Sequence, residues 1–190
     1  MKVVTLDEKD ILTRVNQLIQ KIDFEPDVVI GVLNGAYYLV QLFKDQESFS
    51  EVKFYNIKLQ RQQESFKKKK TFNIILKLLP YWALNKLRIL ESKRDKKSLA
   101  KISKKKLLLK SLHLPITFDS TYKRVLIVDD ALDTGKTMFV LKNNLKKVFS
   151  NSEIKVAVIA WTIENSIVKP DFYIFKNILV RFPWSKDFKK

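Results

Sequence analysis

Arg124 to Met138, RVLIVDDALDTGKTM, constrains this chain more than any other stretch. It opens with Val125, Leu126, Ile127 and Val128, an apolar and mostly β-branched run. Such a run predicts a short parallel strand buried on both faces. Asp129 and Asp130 follow at once. Next come the small-residue turn Ala131 to Thr137 and an apolar-periodic helix, Met138 to Phe149. A strand entering such a turn at a helix N-terminus gathers free backbone N–H groups and the positive helix end, which suits an anion. Gly135 lets a phosphate approach the backbone, and Thr134 and Thr137 offer hydroxyl groups. The adjacent carboxylates suit sugar hydroxyls or a bound Mg²⁺. The stretch therefore predicts a site for a phosphorylated sugar. It is not a Walker A loop, because GxxxxGK[ST] is absent.

The same string resembles the loop that binds 5-phosphoribosyl 1-pyrophosphate (PRPP) in type I phosphoribosyltransferases: apolar strand, two acids, two further residues, then D-T-G-x-T. The resemblance implies that Asp129 and Asp130 hold the ribose hydroxyls and Mg²⁺. It implies that Asp133, Thr134, Gly135, Lys136 and Thr137 cradle the 5-phosphate. Asp133 is also where purine-using members place an acid beside the reacting base.

Composition bounds the rest. At 190 residues, 46% hydrophobic and 12% aromatic, the chain predicts one globular domain. It has no cysteine and one histidine, His113, so a disulfide framework and a Cys/His zinc site are excluded. The start, MKVVTLDEKD, has no apolar signal region, and no run is long enough to span a bilayer. The expectation is a cytoplasmic protein. Charge is concentrated: between Lys53 and Lys110, 19 Lys or Arg face three acids, so that segment holds +16 of the net +17.

Along the chain, Asp7 to Lys21 predicts a helix, with Asp7 as N-cap and Ile11, Val15, Leu18 and Ile19 as its apolar stripe. Val28 to Ile30 begins a buried strand that runs into Gly31 to Tyr37, and Tyr38 to Phe43 continue as a helix. This second strand-loop-helix unit resembles the family's pyrophosphate loop. Asn34, Gly35 and Ala36 would then present N–H groups to the leaving pyrophosphate; many purine-using members carry Lys at the place of Asn34. Val52 to Leu59 predicts a strand. Arg61 behind it is either a pyrophosphate contact, as in relatives, or one more surface cation. Ile154 to Trp161, Phe172 to Phe175 and Ile178 to Val180 complete the strands. The resulting expectation is an α/β fold: a Rossmann-like parallel sheet flanked by helices, with a small C-terminal hood.

A basic helical insert, about residues 66–112, interrupts this plan. Ile74, Ile75, Leu78, Leu79, Trp82, Leu87 and Leu90 fit helical spacing, with Pro80 as a kink or boundary. It reads as a helical hairpin packed on the core, or as a basic amphipathic helix on the anionic inner face of a membrane. Nucleic-acid binding is the weaker reading, because aromatic interleaving is sparse.

The acceptor half of the sequence points two ways. KPDFYIF and RFPWSKD resemble purine-using members. The base-reading positions do not: Ala160 or Trp161 stands where those members carry Lys, and Leu179 stands where they stack an aromatic. Ser185 replaces the acid after F-P-W, which leaves Asp187 as the nearest metal-side candidate. A closer resemblance is to phosphoribosyltransferases of bacterial polysaccharide pathways. They share Leu79-Pro80, Leu87-Arg88 with Glu91, Thr162 to Asn165, Lys169 to Phe172 and Arg181 to Ser185. That resemblance implies transfer of phosphoribosyl from PRPP to a hydroxyl of a lipid-linked glycan, as in O-antigen synthesis, with Mg²⁺, and later dephosphorylation by a partner phosphatase. Purine salvage is the alternative, and a PRPP-sensing RNA-binding regulator the second alternative. A hydroxyl acceptor needs a general base, for which Asp133 or Glu164 are candidates, with Asp130 completing the catalytic set; an ordinary loop acid is the plain reading of Glu164.

Overall fold

The computed structural model describes residues 1–33, 35–58, 76, 78–112, 114, 118–119 and 121–189. The strands are β1 (Lys2–Thr5), β2 (Val28–Leu33), β3 (Lys53–Lys58), β4 (Arg124–Leu132), β5 (Glu153–Trp161), β6 (Phe172–Lys176) and β7 (Ile178–Arg181), with helices between successive strands up to β5. The helices are α1 (Glu8–Lys21), α2 (Ala36–Lys44), α3 (Tyr81–Leu99), α4 (Lys104–Leu108) and α5 (Lys136–Val148). Five strands form one parallel sheet in the order β3-β2-β4-β5-β6.

Alternation along the central strands builds a core on each face. In β4, Leu126 and Val128 face the cluster that contains Ile11, Val15, Leu18, Leu39 and Phe43 of α1 and α2. Val125 and Ile127 face the opposite cluster with Leu141 and Leu145 of α5. These side chains are buried, and each contributes roughly 1.5–3 kcal/mol. The helix α1 starts where a capping box allows it: the Asp7 carboxylate accepts from the Asp10 N–H at 2.8 Å and Asp10 accepts from the Asp7 N–H at 3.1 Å.

The strand order places the site. The chain leaves β2 for α2 and the sheet edge at β3, and leaves β4 for α5 and β5. Because α2 and α5 cover opposite faces, connections diverge between β2 and β4. That is the topological switch point, and ligand crevices of open α/β sheets form at the strand C-terminal ends there. The two sequence-predicted loops are those that follow β2 and β4.

A smaller parallel pair, β1 with β7, joins the two ends of the chain. β1 had no clear sequence signal, since Lys2 to Thr5 is short. The insert begins its long helix at Tyr81, directly after Pro80; Ile74, Ile75 and His113 lie outside the described residues. The helix α3 lies on β1, and α4 contacts α5. It attaches by polar groups rather than an apolar stripe. Arg88 donates to Asp187 and to the Val180 carbonyl at 3.0 Å, and Arg181 donates to Asn85 at 2.7 Å. Among the described residues, no helix is long and apolar enough to cross a membrane.

Candidate active site

The loops after β2 and β4 meet. A Cβ placed on Gly35 would lie 1.9 Å from Oδ2 of Asp130. Only glycine permits this approach, so the loop after β2 and the paired acids share one crevice. Gly35→Ala is expected to push the loops apart and weaken PRPP binding at least about tenfold, equivalent to ~1.4 kcal/mol, in an otherwise folded protein. Calorimetric titration with PRPP checks it; wild-type affinity would show that the close approach is dispensable.

Asp130 is anchored from the C-terminal side. Trp184 donates its indole N–H to Oδ2 at 2.7 Å and is itself stacked on Phe182 at 5.0 Å and tilted against Tyr38 at 5.8 Å. Burial raises the Asp130 carboxyl above the ordinary carboxylate range. Hydrogen bonds from Trp184, Ala131 and Asp129 oppose this, and the Asp133 charge adds to it. The Asp130 N–H donates to Asp129 at 2.9 Å, so the pair is held as a unit.

Behind the acids the chain turns into α5 through Gly135, whose φ of +75° lies in the left-handed region. A Cβ there would also come within 2.9 Å of the Val168 nitrogen. The loop is braced against 162–168: Ile167 N–H donates to Thr134 carbonyl at 2.9 Å, and Thr162 N–H to Leu132 carbonyl at 3.0 Å. The Thr162 hydroxyl donates to Asp133 at 2.5 Å. Glycine at the N-caps of α2 and α5 has no side chain with which to cap. The first-turn N–H groups of both helices are thus available in kind for phosphate oxygens. Thr134 Oγ1 takes the Lys136 N–H at 3.5 Å, a long contact a phosphate could displace.

The structure brings Asp129, Asp130, Asp133, Thr134, Gly135, Lys136 and Thr137 together with Gly35 and Ala36. Asn34 and Arg61 lie outside the described residues. Two other sequence-predicted residues have their carboxylates engaged by basic or amide side chains. Asp187, expected as a metal ligand, has both carboxylate oxygens engaged by guanidinium groups: Oδ1 with Arg88 at 2.5 Å, Oδ2 with Arg88 at 2.7 Å and Arg181 at 2.9 Å. Glu164, expected as a general base, is bound by Lys176 at 2.5 Å and by the Asn177 amide at 3.0 Å. The Lys176 contact, then Asn177, holds its carboxyl below the usual range, which weakens it as a proton acceptor.

Sequence reasoning missed Trp184 and Thr162 as partners of the two reacting-side acids. It also missed Asp95. On α3, Leu84, Arg88, Ser92 and Asp95 recur at helical spacing on the inward face. Asp95 is partly buried: burial raises its carboxyl, the Asp133 charge raises it further, and Lys136 opposes both. The signal available was the i, i+3, i+4 recurrence of polar residues within the insert.

A metal fits this donor set only in part. Among the described residues, no group of three or more His, Cys, Asp or Glu could hold an ion. Two adjacent carboxylates suffice for Mg²⁺ when substrate phosphates supply the remaining oxygens.

Comparisons agree with this geometry. The chain is similar to a purine phosphoribosyltransferase from Pyrococcus horikoshii Ot3, at 24% identity, covering 100% of this chain and 98% of that one, with a TM-score of 0.63. It is similar to a Helicobacter pylori xanthine-guanine-hypoxanthine phosphoribosyltransferase, at 12% identity, 96% and 90% coverage and a TM-score of 0.59. A hypothetical protein from Neisseria gonorrhoeae with bound ppGpp follows, at 17% identity, 96% and 89% coverage and a TM-score of 0.57. No curated protein matches the sequence. Such likenesses establish the fold. The phosphoribosyl transferase domain family matches residues 5–186, and with the paired acids, the glycine turn and the switch-point crevice in place, this chain belongs to that family as a PRPP-dependent transferase of the type I fold.

Proposed function

We propose that the chain transfers the 5-phosphoribosyl group of PRPP to a purine base and releases pyrophosphate. The observation that carries this reading is the likeness of nearly the whole chain to a purine phosphoribosyltransferase, with 100% of this chain and 98% of that one covered; the Trp184–Asp130 hydrogen bond, which seats the F-P-W segment on the paired acids, fits it. The purine enzymes among the structural neighbours support it. Asp129 and Asp130 would orient the ribose hydroxyls and hold Mg²⁺, which supplies charge neutralisation on the pyrophosphate. Residues 133–137 would hold the 5-phosphate, Gly35 and Ala36 the pyrophosphate, and Asp133 would take the proton from the attacking atom.

A second reading has its own support. Ala160 is fully buried, the Trp161 indole is spent on Ser166 at 2.8 Å, and Leu179 is buried within the β1–β7 pair. None of these offers the ammonium or the stacking ring with which purine-using relatives read a base. A hydroxyl on a lipid-linked glycan needs neither. It needs a base, and Asp133 is the candidate for that role. The polysaccharide-pathway role, with a later phosphatase, belongs to this reading.

One assay separates the two. The protein is incubated with PRPP and Mg²⁺, against hypoxanthine, guanine and xanthine in one set and a lipid-linked oligosaccharide in the other, and pyrophosphate release is followed. Base-dependent release establishes the purine reading. Release only with the oligosaccharide establishes the second, and release with neither would overturn both acceptors.

A further inference from the structure

The helix α3 has no single apolar face. Its inward stripe is largely polar, with Asn85, Arg88, Ser92 and Asp95 turned to the domain alongside Leu84. Its outward side carries Trp82, 64% exposed, and Leu90, 51% exposed. Trp82, Lys86, Leu90, Lys93 and Lys97 fall at successive spacings of three or four, which aligns them on one stripe opposite the docked face. Lys86 lies over the Trp82 ring at 5.1 Å. Leu78, Leu87, Leu108 and Leu109 are also exposed on the same insert. Between residues 78 and 112, eleven Lys or Arg stand against two acids, Glu91 and Asp95.

We infer that this outer surface of α3 docks on an anionic lipid bilayer. A helix normally points its leucines inward and its charges outward. Here the charges that could be buried are paired inward, and the large apolar residues are exposed among cations. The exposed apolar residues bring no stability to the isolated domain. Their cost is recovered at an interface: Trp and Leu enter the headgroup boundary, the lysine stems lie along it, and the cations are attracted to anionic headgroups. The leucines also decide against a nucleic acid, whose phosphates would reward the lysines and leave those apolar groups in water. The inference holds for either acceptor, so its failure and that of the acceptor readings are separable.

The test is co-sedimentation of the full chain with phosphatidylcholine vesicles and with vesicles of phosphatidylcholine and phosphatidylglycerol. Binding is expected only to the anionic vesicles. The exposed-residue variants Trp82→Ser/Leu90→Ser and Lys86→Glu/Lys93→Glu/Lys97→Glu are each expected to reduce it at least about tenfold. Circular dichroism and PRPP binding of both variants, expected unchanged, exclude misfolding as the cause. Equal binding to neutral vesicles, wild-type binding by both variants, or binding to an RNA oligomer with no binding to vesicles would each overturn the inference.

Discussion

Asp130→Asn is expected to lower kcat/KM for phosphoribosyl transfer by about 10²–10³ while leaving the fold intact. The substitution preserves volume, which matters because Gly35 abuts this carboxylate with no room for a methyl group. It removes the charge that accepts from Trp184 and that would meet the ribose hydroxyls and Mg²⁺. The stability sign is opposite to the activity sign. Burial raises this carboxyl above its unfolded value, so between the two values the native state binds more protons than the unfolded one. Stability contributed at this site therefore falls as pH rises through the unfolded value of about 3.9 and beyond. An amide has no such cost. Ligand-free Asp130→Asn should melt at or above the wild-type temperature at neutral pH and lose that slope. Full turnover in this variant would sink the assignment of the β4 loop. A large fall in melting temperature would show that Asp130 is a structural rather than a ligand-binding acid.

The donor side was legible in the sequence because its chemistry is local. A buried strand, two acids and a glycine turn are consecutive residues, and one parallel sheet puts them at one crevice. The helices α1, α2 and α5 were legible for the same reason, from apolar periodicity and the Asp7 cap. What escaped notice depends on residues distant in the chain. Trp184 reaches Asp130 across 54 positions and Thr162 reaches Asp133 across 29, and no spacing rule announces either. Asp187 looked like a metal ligand by analogy with the residues around F-P-W. Only the folded chain shows Arg88, 99 positions away, and Arg181 closing on it. The insert misled because its leucines fit helical spacing without stating which way they face. Of that set, Trp82 and Leu90 stand exposed on α3, while the buried positions of the helix are held by Leu84 and the arginine network.

That network carries the largest expected effect on stability. Arg181 is 1% exposed, among the largest fully buried side chains described. Its guanidinium donates to Asp187 at 2.9 Å, Thr5 at 2.8 Å and Asn85 at 2.7 Å, and lies 4.6 Å from the Tyr81 ring centroid. Asp187 is the shared anion that neutralises it together with Arg88. Burial alone would raise the Asp187 carboxyl, but hydrogen bonds and charge from Arg88 and Arg181 override it and hold it at about 2. Asp187→Asn keeps the shape and deletes the charge, leaving a buried cation uncompensated, which typically costs about 3–5 kcal/mol. The midpoint of urea unfolding should fall accordingly. The damage should concentrate where the network sits, so the insert helix should become sensitive to protease under native conditions, because Arg88 loses its anchor. Since the folded value is depressed, the stability contributed by Asp187 is complete above the unfolded value of about 3.9 and is lost as pH falls toward 2. Wild type should therefore destabilise through that acid window more steeply than the variant does. Replacing the triad Arg88, Arg181 and Asp187 together by Met, Leu and Leu should recover most of the loss, because no unpaired charge remains. An Asp187→Asn protein with the wild-type unfolding midpoint and a protease-resistant insert would show that β1, β7 and α3 are held by packing alone.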